Sequence, residues 1–559
     1  MTTELSRRTF LMGMTGVAGA VMLGGCNPGP PRPPAGSRPT LRIVEWTSLG
    51  FPSPYTATAG PGYWRTSLMY DTLTWADSTG TQLPWLASSF RVSPDGLVYA
   101  VELRNLTWKD GVPLTARDVL FTHRYFSERI FTPLLVGVPP KDIQVVATGE
   151  RAVEFRLPRP DATFLQQVLG TMQITPEHVW SKIADPMSFA DRSLLIGTGA
   201  YALESRDEAQ GTESYVANDG YFLGTPYVQR IQMLPADDPL GALRIGELDA
   251  AASAAEGVRN DALAPFRDDP EFGIVSQDAS YGYPLFFNLS RGGALADLRF
   301  RRACAHALDR RAMVDRLLTG NGQVGSAGWL PSSHPMYDPG VKDYPFNRAE
   351  ADRLLDEAGY RRGPGGGRLN LNGSPLRFVL NIPEAVPVAL AELITAGLKA
   401  VGVDIDLQRI DLVRNFGVKL SGDFDMLVTL YPGPSGVGPS GDPEVLRGVF
   451  HSAPPNPFHK TTGYANPQVD RLIDAQRYTN DLAERKRVVG QIQRLVAEDL
   501  PVLMLYYTTF YYAYRKSVFD QWYYTPGGFG PGLPDVYNKH AYITGRKTGL
   551  EVRKVNTAP

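Results

Sequence analysis

The stretch from Tyr431 to Asp442, Tyr-Pro-Gly-Pro-Ser-Gly-Val-Gly-Pro-Ser-Gly-Asp, places an aromatic ring at Tyr431, a hydroxyl at Ser435 and a carboxylate at Asp442. Such a set can stack on a small molecule, hydrogen-bond it and neutralise a cation. The same stretch holds Gly436-x-Gly438-x-x-Gly441, formally a dinucleotide fingerprint. Pro439 and Pro443 interrupt any helix that would follow it, and no βαβ setting surrounds it. Asp442 also stands before Pro443, a turn-forming pair that needs no ligand. His451 and His459 lie in a Pro-rich segment without the spacing of a metal-ligand motif, and read as exposed loop histidines. Neither Gly-x-Ser-x-Gly nor His-Glu-x-x-His occurs, so an exported hydrolase is the weaker alternative. The chemistry on offer is recognition, with no catalytic residue, cofactor or metal expected.

The other reactive group is near the start of the chain. Ser6-Arg7-Arg8-Thr9-Phe10-Leu11 sets paired arginines ahead of an apolar run, Phe10 to Gly25, the pattern of a twin-arginine export signal. The run is too short and Gly-rich to span a bilayer permanently. It ends in Leu23-Gly24-Gly25-Cys26, which resembles a lipoprotein lipobox, where small residues precede a cysteine whose thiol accepts a diacylglyceryl group. Residues 1–25 are then a signal peptide. Residues 26–39, dense in Pro and Gly, form a tether that cannot order itself. The body is expected outside the cell, held by the lipid on Cys26 to the outer face of the cytoplasmic membrane. Each buried CH₂ of the acyl chains contributes about 0.8 kcal/mol to that anchoring.

The elements that position any site must come from a large core. A formal net charge of −2 over 559 residues gives no reason to bind nucleic acid. Of the 2 cysteines, Cys26 is taken by lipid, so Cys304 has no disulfide partner. Strand and helix signals alternate without a short repeat, which predicts α/β lobes. Pro94-Asp95-Gly96 predicts a hairpin between Phe90–Val92 and Val98–Leu103. Thr115-x-x-Asp118 and Asn347-x-x-Glu350 predict helix starts. One helix is expected over 297–318 with Cys304 on its apolar stripe. Another is expected over 389–401, ended by Gly402 and followed by a strand through Val403, Ile405 and Leu407.

Five blocks stand in order: Tyr70-Asp71-Thr72-Leu73 with Pro84-Trp85-Leu86-Ala87; Ser93–Gly96 with Trp108–Val119; Gly197–Tyr201 with Asn218–Tyr221; Arg299–Asp309; and Ala351–Tyr360. From about residue 41 to 525 the chain resembles the family 5 solute-binding proteins, the dipeptide-, oligopeptide- and nickel-binding proteins of ABC importers. The resemblance implies a two-lobed, clam-like periplasmic-binding-protein fold of type II with an additional inserted α/β domain. The first lobe would be 40–85, 198–280 and 510–548, the insertion 86–197, and the second lobe 281–509. Two crossing strands, near 280–288 and 503–514, would make the hinge.

The implied role is to capture a ligand, by default a short peptide, and deliver it to the permease of an ABC importer, acting as a monomer. The implied cleft residues are Trp46 and Ser48 after the first strand, Ser280, Tyr281 and Tyr283 at the first crossing, and Tyr506 and Tyr507 at the second. Trp329 lies in a Gly-Trp-Leu-Pro-Ser-Ser loop. Peptide-binding relatives carry a tryptophan where Tyr431 stands and, near Ser435, an aspartate that pairs with the peptide ammonium. This sequence departs from that pattern, which leaves Asp442 as the substitute if its loop folds inward. A sugar oligomer, needing aromatic platforms and neutral hydrogen bonds, is the alternative ligand.

Overall fold

The computed structural model describes residues 39–44, 50–55, 61–76, 82–128, 142–186, 188–251, 260–432, 442–453 and 462–520. Arg7, Arg8, Cys26, Trp46, Ser48, Ser435, His459 and the glycine motif lie outside them.

Among the described residues, one sheet of 12 strands dominates. Neighbour to neighbour its main path runs Asp404–Ile410, Arg377–Pro383, Met426–Val428, Phe272–Phe287, Val502–Arg515, Ala250–Ala251, Thr40–Val44, Arg230–Leu234, Thr212–Ala217 and Tyr201–Asp207. The two strands expected to cross are its longest, at 16 and 14 residues. They are rich in Tyr, Phe and Val, residues that fit a pleated, half-buried surface. They pair antiparallel from Phe272 opposite Arg515 to Phe286 opposite Val502, with register shifts between Gln277 and Tyr281 and between Gly282 and Pro284. Within the first shift Ala279 has φ 54°. A residue with a Cβ pays about 1–3 kcal/mol for that conformation, which the surrounding ladder must supply.

The cores change at the same place. Along the first long strand Val275 belongs to an apolar cluster built from residues up to Ala250 and near 512–519, while Ala279, Tyr283 and Leu285 belong to clusters built from residue 279 onward. Along the second, Tyr506 and Tyr507 lie in the later clusters and Tyr511 to Tyr514 in the earlier ones. Two apolar cores therefore meet at the interrupted ladder. A separate antiparallel sheet, Ala87–Val92, Val98–Leu103, Ala152–Arg156 and Gln144–Ala147, packs with the helix Ala116–Glu128 in the same cluster as Leu41 and Ile43.

Several local signals are realised. Ser93 N donates to the Val98 carbonyl at 2.9 Å across the hairpin. Asp118 accepts from Thr115 N at 2.9 Å, and Asn347 from Glu350 N at 3.1 Å, at their helix starts. Cys304 is buried, and burial pushes its thiol pKa up, which keeps it unreactive. The helix expected over 297–318 is instead two, Leu298–Ala307 and Arg310–Leu317. Leu308 is extended between them, and Asp309 caps the second by accepting from Ala312 N. An aspartate inside an apolar stripe thus acts as an N-cap.

Two of the five blocks that carried the resemblance converge on one buried carboxylate. Asp71 accepts from Trp85 Nε1 at 2.9 Å, Tyr221 Oη at 3.1 Å and Thr198 Oγ1 at 2.8 Å. Thr198 reaches it because Gly197 and Gly199 hug Met69: a Cβ on Gly197 would come within 2.0 Å of the Met69 carbonyl oxygen. Replacing Asp71 by Leu orphans three buried donors at about 1–3 kcal/mol each. The expected loss, read by urea denaturation, is above 2 kcal/mol. A loss below about 0.5 kcal/mol would mean that these blocks are held by other contacts.

Candidate functional site

At the interrupted ladder the register shifts twice within a few residues and the earlier and later apolar clusters meet. Thr508 bridges it: its Oγ1 accepts from Tyr281 N at 3.3 Å and donates to the Tyr281 carbonyl at 3.4 Å. Thr509 Oγ1 donates to Asp278 at 3.0 Å on the solvent side. Ser280 falls within the shift. Tyr281 is half-buried and sets its ring edge-on to Phe510, with centroids 5.3 Å apart. The short strand Tyr431–Pro432 pairs here, placing Tyr431 opposite Gly282 and Pro432 opposite Tyr281.

Beside it three of the expected residues meet. Trp329, with φ 78°, presents its ring edge-on to Tyr431 at 4.8 Å and to Phe450 at 5.8 Å. Tyr507 donates its hydroxyl to the Trp329 carbonyl. That hydroxyl is therefore engaged by the protein. Burial pushes the phenols of Tyr281, Tyr431 and Tyr507 up in pKa, so all three stay neutral.

Tyr283 and Tyr506 do not join this group. They are 3% and 1% exposed and stack on each other at 4.7 Å inside the second core. Adjacent residues on a strand point to opposite faces, so Tyr506 and Tyr507 cannot both face one cleft. Asp442 is also corrected. Its carboxylate takes two hydrogen bonds from Arg485, at 2.6 and 2.8 Å, with both side chains buried, and it accepts from Glu444 N at 2.8 Å. Withdrawing it for a ligand ammonium would strand the Arg485 charge, a cost of roughly 3–5 kcal/mol. His451 is buried rather than exposed, with Nε2 3.6 Å from Asp474. Among the described residues no group of three or more His, Cys, Asp or Glu could hold a metal.

One residue of the site was not singled out from the sequence. Lys419, on the helix Leu412–Ser421, is buried with its Nζ 4.5 Å from the Phe286 ring centroid and 5.1 Å from that of Tyr431. The face of an aromatic ring attracts a cation. Desolvation nevertheless lowers the ammonium pKa to about 7. Its sequence signal was spacing: Lys419 follows Asn415 by one helical turn, and both are buried.

A model of bacterial extracellular solute-binding proteins, family 5 Middle, matches residues 81–452. Protein XP55 of Streptomyces lividans is 30% identical over 454 residues, spanning 78% of this chain and 77% of that protein. The oligopeptide-binding protein AppA of Bacillus subtilis is 26% identical over 464 residues, 79% of this chain and 81% of AppA. The structure of AppA with a nonapeptide superposes with a TM-score of 0.73 at 23% identity, covering 89% of this chain and 97% of that one. NikZ of Campylobacter jejuni, in complex with Ni(L-His), gives 0.73 at 23% identity, covering 91% and 99%. The α/β, two-lobed type II periplasmic-binding fold follows from these superpositions.

The lowered Lys419 pKa has a consequence for stability. Between about pH 7 and its unfolded value near 10.4, the unfolded chain binds one more proton at this site than the folded chain, so stability rises with pH there. The slope is at most about 1.4 kcal/mol per pH unit. Urea midpoints at pH 7 and pH 9 are expected to rise more for the wild type than for Lys419→Met. Equal rises would place the ammonium in a solvated setting.

Proposed function

The chain belongs to family 5 of the bacterial extracellular solute-binding proteins, and we propose that it captures a short peptide between two lobes and delivers it to the permease of an ABC importer. The observation that carries this reading is the meeting of two apolar cores at one interrupted strand pair, with the Trp329, Tyr431 and Tyr507 group beside it. A solute held there touches both sides, so its binding energy favours the closed arrangement. The peptide assignment draws on AppA, whose structure holds a nonapeptide. In this reading residues 40–85, 198–280 and 510–548 form the first lobe, 281–509 the second, and 86–197 the inserted domain. The body is exported through the Arg7-Arg8 signal and held to the membrane by lipid on Cys26. No helix among the described residues is long and apolar enough to cross a membrane.

One observation favours a second reading. With Asp442 bound to Arg485, a peptide ammonium needs another anion, whereas an oligosaccharide needs only the aromatic group and neutral donors.

Native mass spectrometry of the purified chain, followed by denaturing release, separates the two. A population of short peptides is expected. A carbohydrate mass supports the second reading with the same closure, and a preparation that releases nothing and binds neither class removes capture altogether. For the released ligand, Tyr431→Ala is expected to weaken affinity at least about tenfold, roughly 1.4 kcal/mol, by calorimetry. Cys26→Ser is expected to move the protein from the membrane to the soluble fraction.

A further inference from the structure

Away from the long strands, a second junction connects residues more than 300 positions apart. Asp161, after the strand Ala152–Arg156, is 6% exposed. Its Oδ2 accepts from Arg477 Nε at 3.0 Å and Nη2 at 2.7 Å, while its Oδ1 accepts from Thr163 N at 2.9 Å and Thr163 Oγ1 at 2.7 Å. Arg477 ends the helix Pro467–Arg477, and its carbonyl accepts from Ala162 N at 2.8 Å. The Arg159 guanidinium lies 4.4 Å from the Tyr478 ring centroid. Asn480 sits so close over the Gly96 hairpin that a Cβ there would come 2.4 Å from its Nδ2. Four contacts of four kinds thus join the 86–197 segment to the 467–480 region.

Each side is set before the two meet. Thr163 fixes the Asp161 carboxylate, and Glu444 lies 3.4 Å from Arg477 Nη1. Glu444 is also held by Arg447 and Gln476, and its backbone N–H is capped by Asp442. A charge-assisted, preorganised pair gives directional closure. Both partners regain water when they separate, so the pair biases an equilibrium rather than locking it.

We propose that the 86–197 segment is a clasp: Asp161 and Arg477 join it to the second lobe when the molecule closes, and so set the population of the closed state. The clasp rests on the reading of two closing lobes. It gives the inserted segment a function that does not require it to touch the ligand. Apparent affinity scales with the closed fraction, so loosening the clasp weakens binding without altering the cleft.

The test uses the full chain carrying Cys26→Ser, with spin labels at Val92→Cys and Leu482→Cys, both exposed, while buried Cys304 resists labelling. Pulsed dipolar distances are recorded on the protein as purified and after any retained ligand is stripped. Circular dichroism checks that each variant is folded. Asp161→Asn and Arg477→Gln are each expected to reduce the short-distance population at least threefold, and the double variant to reduce it no further. Unchanged distributions, or effects that simply multiply in the double variant, overturn the clasp. If ligand shortens the distance equally in wild type and Asp161→Asn, the clasp fails while capture stands. If the short distance is lost in Asp161→Asn but no form responds to ligand, the clasp stands and capture fails.

Discussion

A continuous antiparallel ladder is stiff, because each residue is held on both sides and the pleat fixes which way its side chain points. Here the longest ladder among the described residues breaks between Gln277 and Tyr281, just where one apolar core gives way to another. Where pairing resumes, Thr508 lies opposite Tyr281, and its hydroxyl adds hydrogen bonds to the Tyr281 N–H and carbonyl. The other features follow from this break. Tyr431 pairs opposite Gly282, and Trp329 packs against Tyr431 in turn.

Buried charges in the described residues are held in different ways. Asp71 and the Asp442–Arg485 pair are saturated by partners and hold their surroundings in one arrangement. Lys419 differs, since its ammonium is packed between rings and its pKa lies near neutrality. A site for an uncharged or anionic group is easier to build beside such a lysine than a site for a second cation.

How much of this was legible in the sequence depends on distance along the chain. The hairpin at Gly96, the caps at Asp118 and Asn347 and the burial of Cys304 are decided within a few residues, and the residues said so. The break at Leu308 was hidden because an aspartate on a helical stripe looks like a solvated position until its cap is seen. Tyr506 and Tyr507 were grouped together although adjacent strand residues diverge. Tyr283 was placed in the cleft by resemblance alone, and its facing depends on a ladder whose register shifts on both sides of Tyr281–Gly282. Asp442 was misassigned for a different reason: its partner Arg485 lies 43 residues away, and pairings of that range leave no local trace.

The position of Val502–Arg515 in the sheet also governs how the chain can be made. Although late in sequence, this strand sits in the middle of the sheet, between Phe272–Phe287 and Ala250–Ala251. During synthesis the earlier strands must wait with a vacant slot between them, both flanking edges unpaired, until almost the whole chain has emerged. Unpaired edges of this kind invite pairing with other chains, and contacts of such long range form slowly. The two halves of the central sheet can therefore be joined only late in synthesis, after the strand Val502–Arg515 has emerged.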